Sequence, residues 1–306
     1  FRSVLWTSLG GQGGAKAVAR IISGEVNPSG KLAETIPMAG KDVPCHKYWP
    51  GKEKTSEYRE SIFVGYRYYD TGNIKVKYPF GFGLSYTGFE YSNLKVKDTA
   101  VSFTLKNKGK RAGAEVCQVY TGYSDRNISG VFREKKKLSG FKKVFLEPGE
   151  KKKVEIPLDE HAFSYWNVNT RSWVTEGGEY TVSVGSSSRD EDMKLSVKIG
   201  LEGDKAESPY SRIDIPEYFE ANVRNIPDDA FEYILGRPIP ESRWDLSAPL
   251  DFNTPIAMGK KKKGALNLLY RGTAFYVNTL KKTGKLQKAT DMEMALNIPL
   301  RAVSRM

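Results

Sequence analysis

The 306 residues include 39% apolar and 12% aromatic side chains, enough to bury one or two cores, and the length suggests roughly two domains. No apolar run approaches the roughly 20 residues that crossing a bilayer takes. The net charge of +12 is concentrated: nine basic residues and no acidic one fall between Gly259 and Lys288, which describes a basic C-terminal segment rather than a groove for nucleic acid.

Cys45 and Cys117 are far apart and make no disulfide framework or ligand cluster, and His46 and His161 are the only histidines. A histidine metal site and Ser-His-Asp chemistry are therefore not expected, and His161, in "LDEHAFSYW", reads as a structural histidine. The chain opens on Phe1 with no signal-peptide pattern and stops abruptly at "SRM", so truncation at the front, and also at the end, is the expectation.

In chain order, "SVLWTSL" (Ser3–Leu9) is an apolar run without alternation, as for a strand covered on both faces. "GGQGG" follows, then "AKAVARIIS", where Ala15, Val18, Ala19 and Ile22 make one apolar helix face and Gly24 is placed to end the helix. The glycines lack the GxGxxG spacing and no GK[ST] follows, so close strand–helix packing is preferred over a phosphate cradle. "NPSG" (Asn27–Gly30) reads as a turn with Gly30 at positive φ.

The stretch from Lys41 to Tyr91 is irregular and rich in Gly, Pro and Tyr. "YRESIFVGYRYYD" (Tyr58–Asp70) places tyrosines beside Arg59, Glu60, Arg67 and Asp70, and "YPFGFGLSYTGFEY" (Tyr78–Tyr91) alternates rings with glycines, as where backbone passes close to packed aromatics. Residues 92–200 change character. Val101, Phe103 and Leu105 alternate with polar residues, as do Val154, Ile156 and Leu158, then Tyr180, Val182 and Val184, then Met193, Leu195, Val197 and Ile199. Period two means strands with one buried face, and "NKGK", "EPGE", "NVNT" and "EGGE" supply the turns. An immunoglobulin-like sandwich is the natural closure. Beyond Gly200, "IPDDAFEYILGRPIP" predicts a short helix with acids in its first turn and Gly236 past its end. "ALNLLYRGTAFYVNTLKK" predicts a basic amphipathic helix, and "DMEMALNIPLRAV" a further one interrupted at Pro299.

"GEVNPSGKLAETIP" (Gly24–Pro37) closely resembles the motif that ends the α/β sandwich domain of glycoside hydrolase family 3, the β-glucosidase family. The order that follows fits as well: "YRESIFVGYRYYD", then "YPFGFGLSYTGFEYSNL", then a sandwich with "NKGKRAGAEVCQVYTG", "KKLSGFKKVFLEPGEKKKVEIPL" and "GGEYTVSVGSSSRD". These are similar to the fibronectin type III-like domain of many members. The segment "YFEANVRNIPDDAFEYILGRPIPESRWD" is similar to an extension found in a bacterial subgroup. The resemblance implies a mixed, mainly β chain: residues 1–42 the end of the α/β sandwich domain, with its last βα unit; 43–91 an aromatic, Gly-rich linker; 92–200 the fibronectin type III-like sandwich; and 201–306 a helical basic extension.

It further implies membership of a retaining β-glycosidase acting on terminal β-linked sugars, most often glucose, without a cofactor. Family members use a nucleophile Asp on an N-terminal barrel and an acid/base Glu usually on the α/β sandwich domain, with carboxyls about 5–5.5 Å apart. Neither maps onto this chain, so no catalytic, cofactor or metal residue is assigned. The chain alone is expected to be inert, its partners being the missing barrel domain and, through the complete enzyme, a β-linked glucoside or oligosaccharide. The tyrosines of 58–70 then pack a domain seam, with Arg59, Glu60, Arg67 and Asp70 as hydrogen-bonding partners.

Three sharper readings stand against plain ones. Glu53, Glu57 and Glu60 offer closely spaced carboxylates, but a solvated, salt-bridged loop is the plainer assignment. Trp166 and Trp173, in "SYWNVNTRSW", suit a carbohydrate-binding or interaction module if both are exposed, whereas hairpin strands of a sandwich would turn at least one inward. The basic helix, with Leu266, Leu269, Phe275 and Val277, suits an anionic membrane surface, but docking on its own protein is preferred and nucleic acid lacks a motif. A sequon, "NIS", begins at Asn127.

Overall fold

A computed structural model describes residues 3–97, 99–126, 129–204, 206–243, 245 and 249–303. The sequon at Asn127 lies outside the described residues. The chain divides into two compact units, one of residues 1–49 and 58–239, the other of residues 50–57 and 240–306.

The first unit begins with α1 (Gly14–Ile22), followed by the two-residue strand β1 (Ile36–Pro37), α2 (Tyr66–Thr71) and β2 (Val76–Tyr78), which pairs antiparallel with β1. Ser3–Leu9 is not a strand, contrary to expectation. A strand of that kind exists only through hydrogen bonds to neighbours, and none of the described residues supplies one. Val4, Leu5, Trp6 and Leu9 are exposed, and α1, although it carries the predicted apolar face, buries no residue. The strand–helix packing expected at "GGQGG" is therefore also missing. The "NPSG" segment is not a turn, and Gly30 is not among the positive-φ glycines. Asn27 instead reaches across the fold, donating to Ala112 O at 3.0 Å and accepting from Ser85 Oγ and Tyr86 N–H. Those long-range bonds occupy the Asn27 side chain that a local turn would have used.

The sandwich is seven strands in two antiparallel sheets. One sheet runs in the order β11 (Met193–Leu201), β10 (Gly178–Gly185), β5 (Gly113–Tyr123), β6 (Lys137–Leu146), and the other β3 (Phe89–Lys97), β4 (Ala100–Asn107), β7 (Lys151–Pro157). The alternating residues meet between them: Val101, Phe103, Leu105, Val154, Ile156, Val182 and Val184 are all below 4% exposed and share one core with Val119 and Leu146. On β11 the alternation buries less, because that strand lies at a sheet edge. The predicted breaks fall between strands. Asn107 is fully buried in the first, its side chain donating to Arg111 O and Leu146 O while accepting from Gly109 N–H, so one amide closes the turn and ties it to β6. A separate hairpin, β8 (Ser164–Asn167) and β9 (Ser172–Thr175), pairs Trp166 directly with Trp173.

Residues 201–239 fold onto this unit. With α3 (Pro216–Phe219) and α4 (Asp228–Leu235), they bring Ile215, Tyr218, Phe219, Val223, Ile226 and Phe231 against Phe63, Tyr68, Tyr69 and Phe132 in a second core. As predicted, α4 has Asp228 and Asp229 in its first turn and ends at Gly236 in the left-handed region, φ 67°.

In the second unit, α5 (Ala265–Lys282) covers the predicted span, α6 (Leu286–Leu296) stops before Pro299, and α7 (Leu300–Val303) resumes after it. Leu266, Val277 and Leu280 of α5 are buried, whereas Leu269 and Phe275 are exposed. Two of the four residues suited to a membrane surface thus serve the unit's own packing.

Candidate functional site

The stretch Tyr58–Asp70 forms a seam wall. Tyr68 and Tyr69 are buried in the second core, and Tyr66 stacks on Phe80 at 4.8 Å, meets Tyr120 edge-on at 6.0 Å and accepts the Leu138 N–H of β6 at 2.8 Å. Tyr58 departs from the expectation, at 73% exposed. Arg59 is 5% exposed: it donates to Ile226 O at 2.9 Å, pairs with Asp228 at 2.6 Å and lies 5.0 Å from the ring centroids of Tyr48 and Phe231. A guanidinium so desolvated is held by hydrogen bonds, an ion pair and two ring faces together. Arg67 corrects the reading differently, because its buried Nε has no hydrogen-bond partner.

The three neighbouring glutamates behave unequally. Glu53 pairs with Lys261 at 2.7 Å and Glu57 with Lys52 at 2.5 Å, as a salt-bridged segment should. Glu60 is not solvated: it is 5% exposed, its Oε2 lacks a hydrogen-bond partner, and burial raises its pKa. The turn that buries it also delivers Phe63 to the second core. Glu53 and Glu57 belong to one unit and Glu60 to the other.

Asp70, at the end of α2, is pushed up to a pKa of about 6, chiefly by burial. Lys136 approaches to 3.6 Å, too far for a hydrogen bond, because Asp190 holds that ammonium at 2.5 Å. The folded protein therefore keeps the Asp70 proton over a range where the unfolded chain, with its ordinary carboxyl value near 4, has released it. Stability then falls as pH rises from about 4 through 6, by about 3 kcal/mol at roughly 1.4 kcal/mol per pH unit. Asp70→Asn should remove this dependence: denaturant unfolding of wild type and variant at pH 4 and 7.5 should differ in opposite proportion, with the variant gaining at the higher pH. A gap that is the same at both values would refute the assignment.

The tryptophans are where the sequence expectation fails most clearly. Trp166 and Trp173 are each 46% exposed, so neither turns inward. Their cross-strand register puts both on one face of the hairpin, in edge-to-face contact at 5.6 Å, while Val174 and Asn167 take the inward face. The other face is spent on Asn167, fully buried, which donates to Glu207 O and accepts the Asn169 and Thr170 N–H groups. His161 stacks on Trp173 at 4.0 Å and 13°. The rings border a cleft of about 600 Å³ that is also lined by Ile62, Phe132 and Tyr210 of the second core and its surroundings. Arg67, Glu134 and Lys137 also line it.

Residues 1–86 match the family model described as the glycosyl hydrolase family 3 C-terminal domain, and residues 115–188 the fibronectin type III-like domain. A thermostable β-glucosidase B from Acetivibrio thermocellus is 47% identical over 207 residues, which is 65% of this chain and 27% of that protein. An exo-α-(1→6)-L-arabinopyranosidase from Bifidobacterium breve is 44% identical over 215 residues, 69% of this chain and 28% of its own. Among solved structures, the family 3 β-glucosidase of Bifidobacterium adolescentis superposes with a TM-score of 0.60 at 43% identity, covering 65% of this chain and 30% of that one. The chain thus spans under a third of the length of the relatives it matches.

Proposed function

We propose, for a chain that belongs to glycoside hydrolase family 3 and matches its C-terminal portion, a scaffolding role in a retaining β-glycosidase that hydrolyses terminal β-linked sugars. The division into 1–42, 43–91, 92–200 and 201–306, with no catalytic carboxylate in any part, belongs to the same reading. What carries it is the open apolar surface at the front of the chain. Val4, Leu5, Trp6 and Leu9 are exposed on backbone that has no strand partner among the described residues, and Ile22 of α1 is exposed as well. Apolar groups and unpaired peptide groups together are what the interior of a larger α/β sheet would cover, and a barrel domain carrying the nucleophile would complete the enzyme.

The relatives add a second support. Two proteins 47% and 44% identical to this chain are named for different sugars, a β-glucoside and an α-L-arabinopyranoside. A portion so alike in both sets neither the sugar nor its linkage. The basic tail is assigned to its own unit, where Leu266, Val277 and Leu280 are buried, and no nucleic acid or membrane partner is included.

Nitrophenyl β-glycosides provide the test. The purified 306-residue chain alone should give no turnover, and adding the separately produced part of the Acetivibrio relative that this chain does not match should restore it. Turnover by the chain alone, lost in Glu60→Gln, would overturn the scaffold reading and make the buried glutamate a catalytic group.

A further inference from the structure

Beside the seam, the cleft under the β8–β9 hairpin has features that no scaffolding role uses. Its volume of about 600 Å³ falls within the roughly 300–1,000 Å³ usual for small-molecule sites. Large exposed rings are costly to leave in water, and here two are held edge to face, their planes 76° apart. Trp166 and Trp173 brace each other, and the His161 ring, itself part of the cleft lining, stacks on one face of Trp173 and fixes it. Such fixed indole faces lose little entropy when a flat ligand lies on them.

The polar groups decide the kind of ligand. Lys137 is committed, its Nζ donating to His161 O at 2.5 Å and Ser164 O at 3.1 Å. Arg133 is committed to Glu176 at 2.7 Å and lies over Tyr123 and Tyr165. Arg67 and Glu134 make no hydrogen bond or ion pair among the described residues, and the Arg67 Nε is buried as well. Asp159 also lines the cleft, its Oδ1 accepting the His161 N–H at 2.9 Å. Arg67 and Glu134 thus offer a donor and an acceptor of opposite charge, and Lys137 and Asp159 add one charge of each sign, so the cleft carries no net charge to recruit an ion. A molecule that suits it is neutral, has hydroxyls able both to donate and to accept, and presents a flat face of C–H bonds to the electron-rich rings.

We propose that this cleft binds a neutral pyranoside, its C–H face on one indole of the Trp166–Trp173 pair, its rim against the other, and its hydroxyls between Arg67 and Glu134. The site is independent of the glycosidase reading, since binding requires no turnover and the chain by itself suffices.

Calorimetric titration of the 306-residue chain with methyl β-D-glucopyranoside, cellobiose, glucuronate and inorganic phosphate tests it. Saturable binding of the two neutral sugars is expected in the range of about 1 mM, weakened about tenfold or more in Trp166→Ala, in Trp173→Ala and in Arg67→Met. Trp49→Ala, at an exposed ring outside the cleft, should bind as wild type. Circular dichroism checks that the half-exposed ring deletions leave the fold intact, and His161→Ala, which only loosens Trp173, should weaken binding less. No saturation by neutral sugars up to about 50 mM, phosphate or glucuronate binding more tightly than either, or wild-type affinity in both tryptophan variants would each overturn the site.

Discussion

Lys31→Met should cost the first unit about 3–5 kcal/mol at pH 7.5, the usual consequence of removing one partner of a buried ion pair. Lys31 lies in the stretch Gly24–Pro37, and its Nζ is 3.1 Å from Glu115 Oε1 on β5, with the two side chains 10% and 6% exposed. It also donates to Gly83 O at 2.9 Å. Without it, the Glu115 carboxylate keeps the Tyr91 hydroxyl at 3.2 Å and the weaker influence of the Lys194 charge. Burial already raises the Glu115 pKa and Lys31 is the first of the groups that lower it, so the variant carries a carboxyl raised further. A carboxyl with a raised folded pKa stabilises when protonated and loses that as pH rises through the folded value. The deficit of Lys31→Met should accordingly shrink as pH is lowered toward 5, and Glu115→Gln added to it should recover part of the loss at pH 7.5. Urea unfolding at the two pH values measures both effects. A loss under about 1 kcal/mol, equal at both, would mean that the pair contributes no more than a surface bridge.

Gly81→Ala should be strongly destabilising for a single added methyl, and Gly149→Ala provides its control. Both glycines have φ +77°, so each alanine carries the same left-handed strain, about 1 kcal/mol. At Gly149 the new Cβ meets nothing within 4 Å, whereas at Gly81 it overlaps the Gln118 Oε1 and comes to 2.8 Å from Cδ. Gln118 is 3% exposed and fully engaged, its Nε2 donating to Gly81 O and Ser186 O and its Oε1 accepting from Tyr120 OH at 2.6 Å. Pushing that amide aside strands several buried polar groups at about 1–3 kcal/mol each. Gly81→Ala should therefore lose roughly 2–4 kcal/mol more than Gly149→Ala in matched thermal or urea unfolding. Equal losses would show that strain alone governs both sites and that Gln118 moves freely.

How much of this was legible beforehand follows the range of the physics involved. The spacing of Val101, Phe103 and Leu105, the acids opening α4 and the glycine ending it are local signals, and local geometry obeys them. The glycines of "YPFGFGLSY" announced close approaches, but not that Gly81 faces Gln118 or that Gly83 crosses the Gly30 carbonyl. Nor did composition reveal that residues 215–231 would supply eight of the twelve buried residues of a core with Tyr68 and Tyr69.

The sequence by itself determined the sandwich, because alternation on paired strands needs only neighbours that lie within the same chain. It also determined the family likeness through long motifs in unbroken order. Tertiary structure alone decided three outcomes. Ser3–Leu9 remains without strand structure because a strand's hydrogen bonds belong to its neighbours. Glu60 is buried because the turn carrying it must deliver Phe63 to a core. Trp166 and Trp173 face outward because the inward positions of their short hairpin are taken by Asn167 and Val174, and which face of a two-stranded ribbon is covered depends on what packs against it.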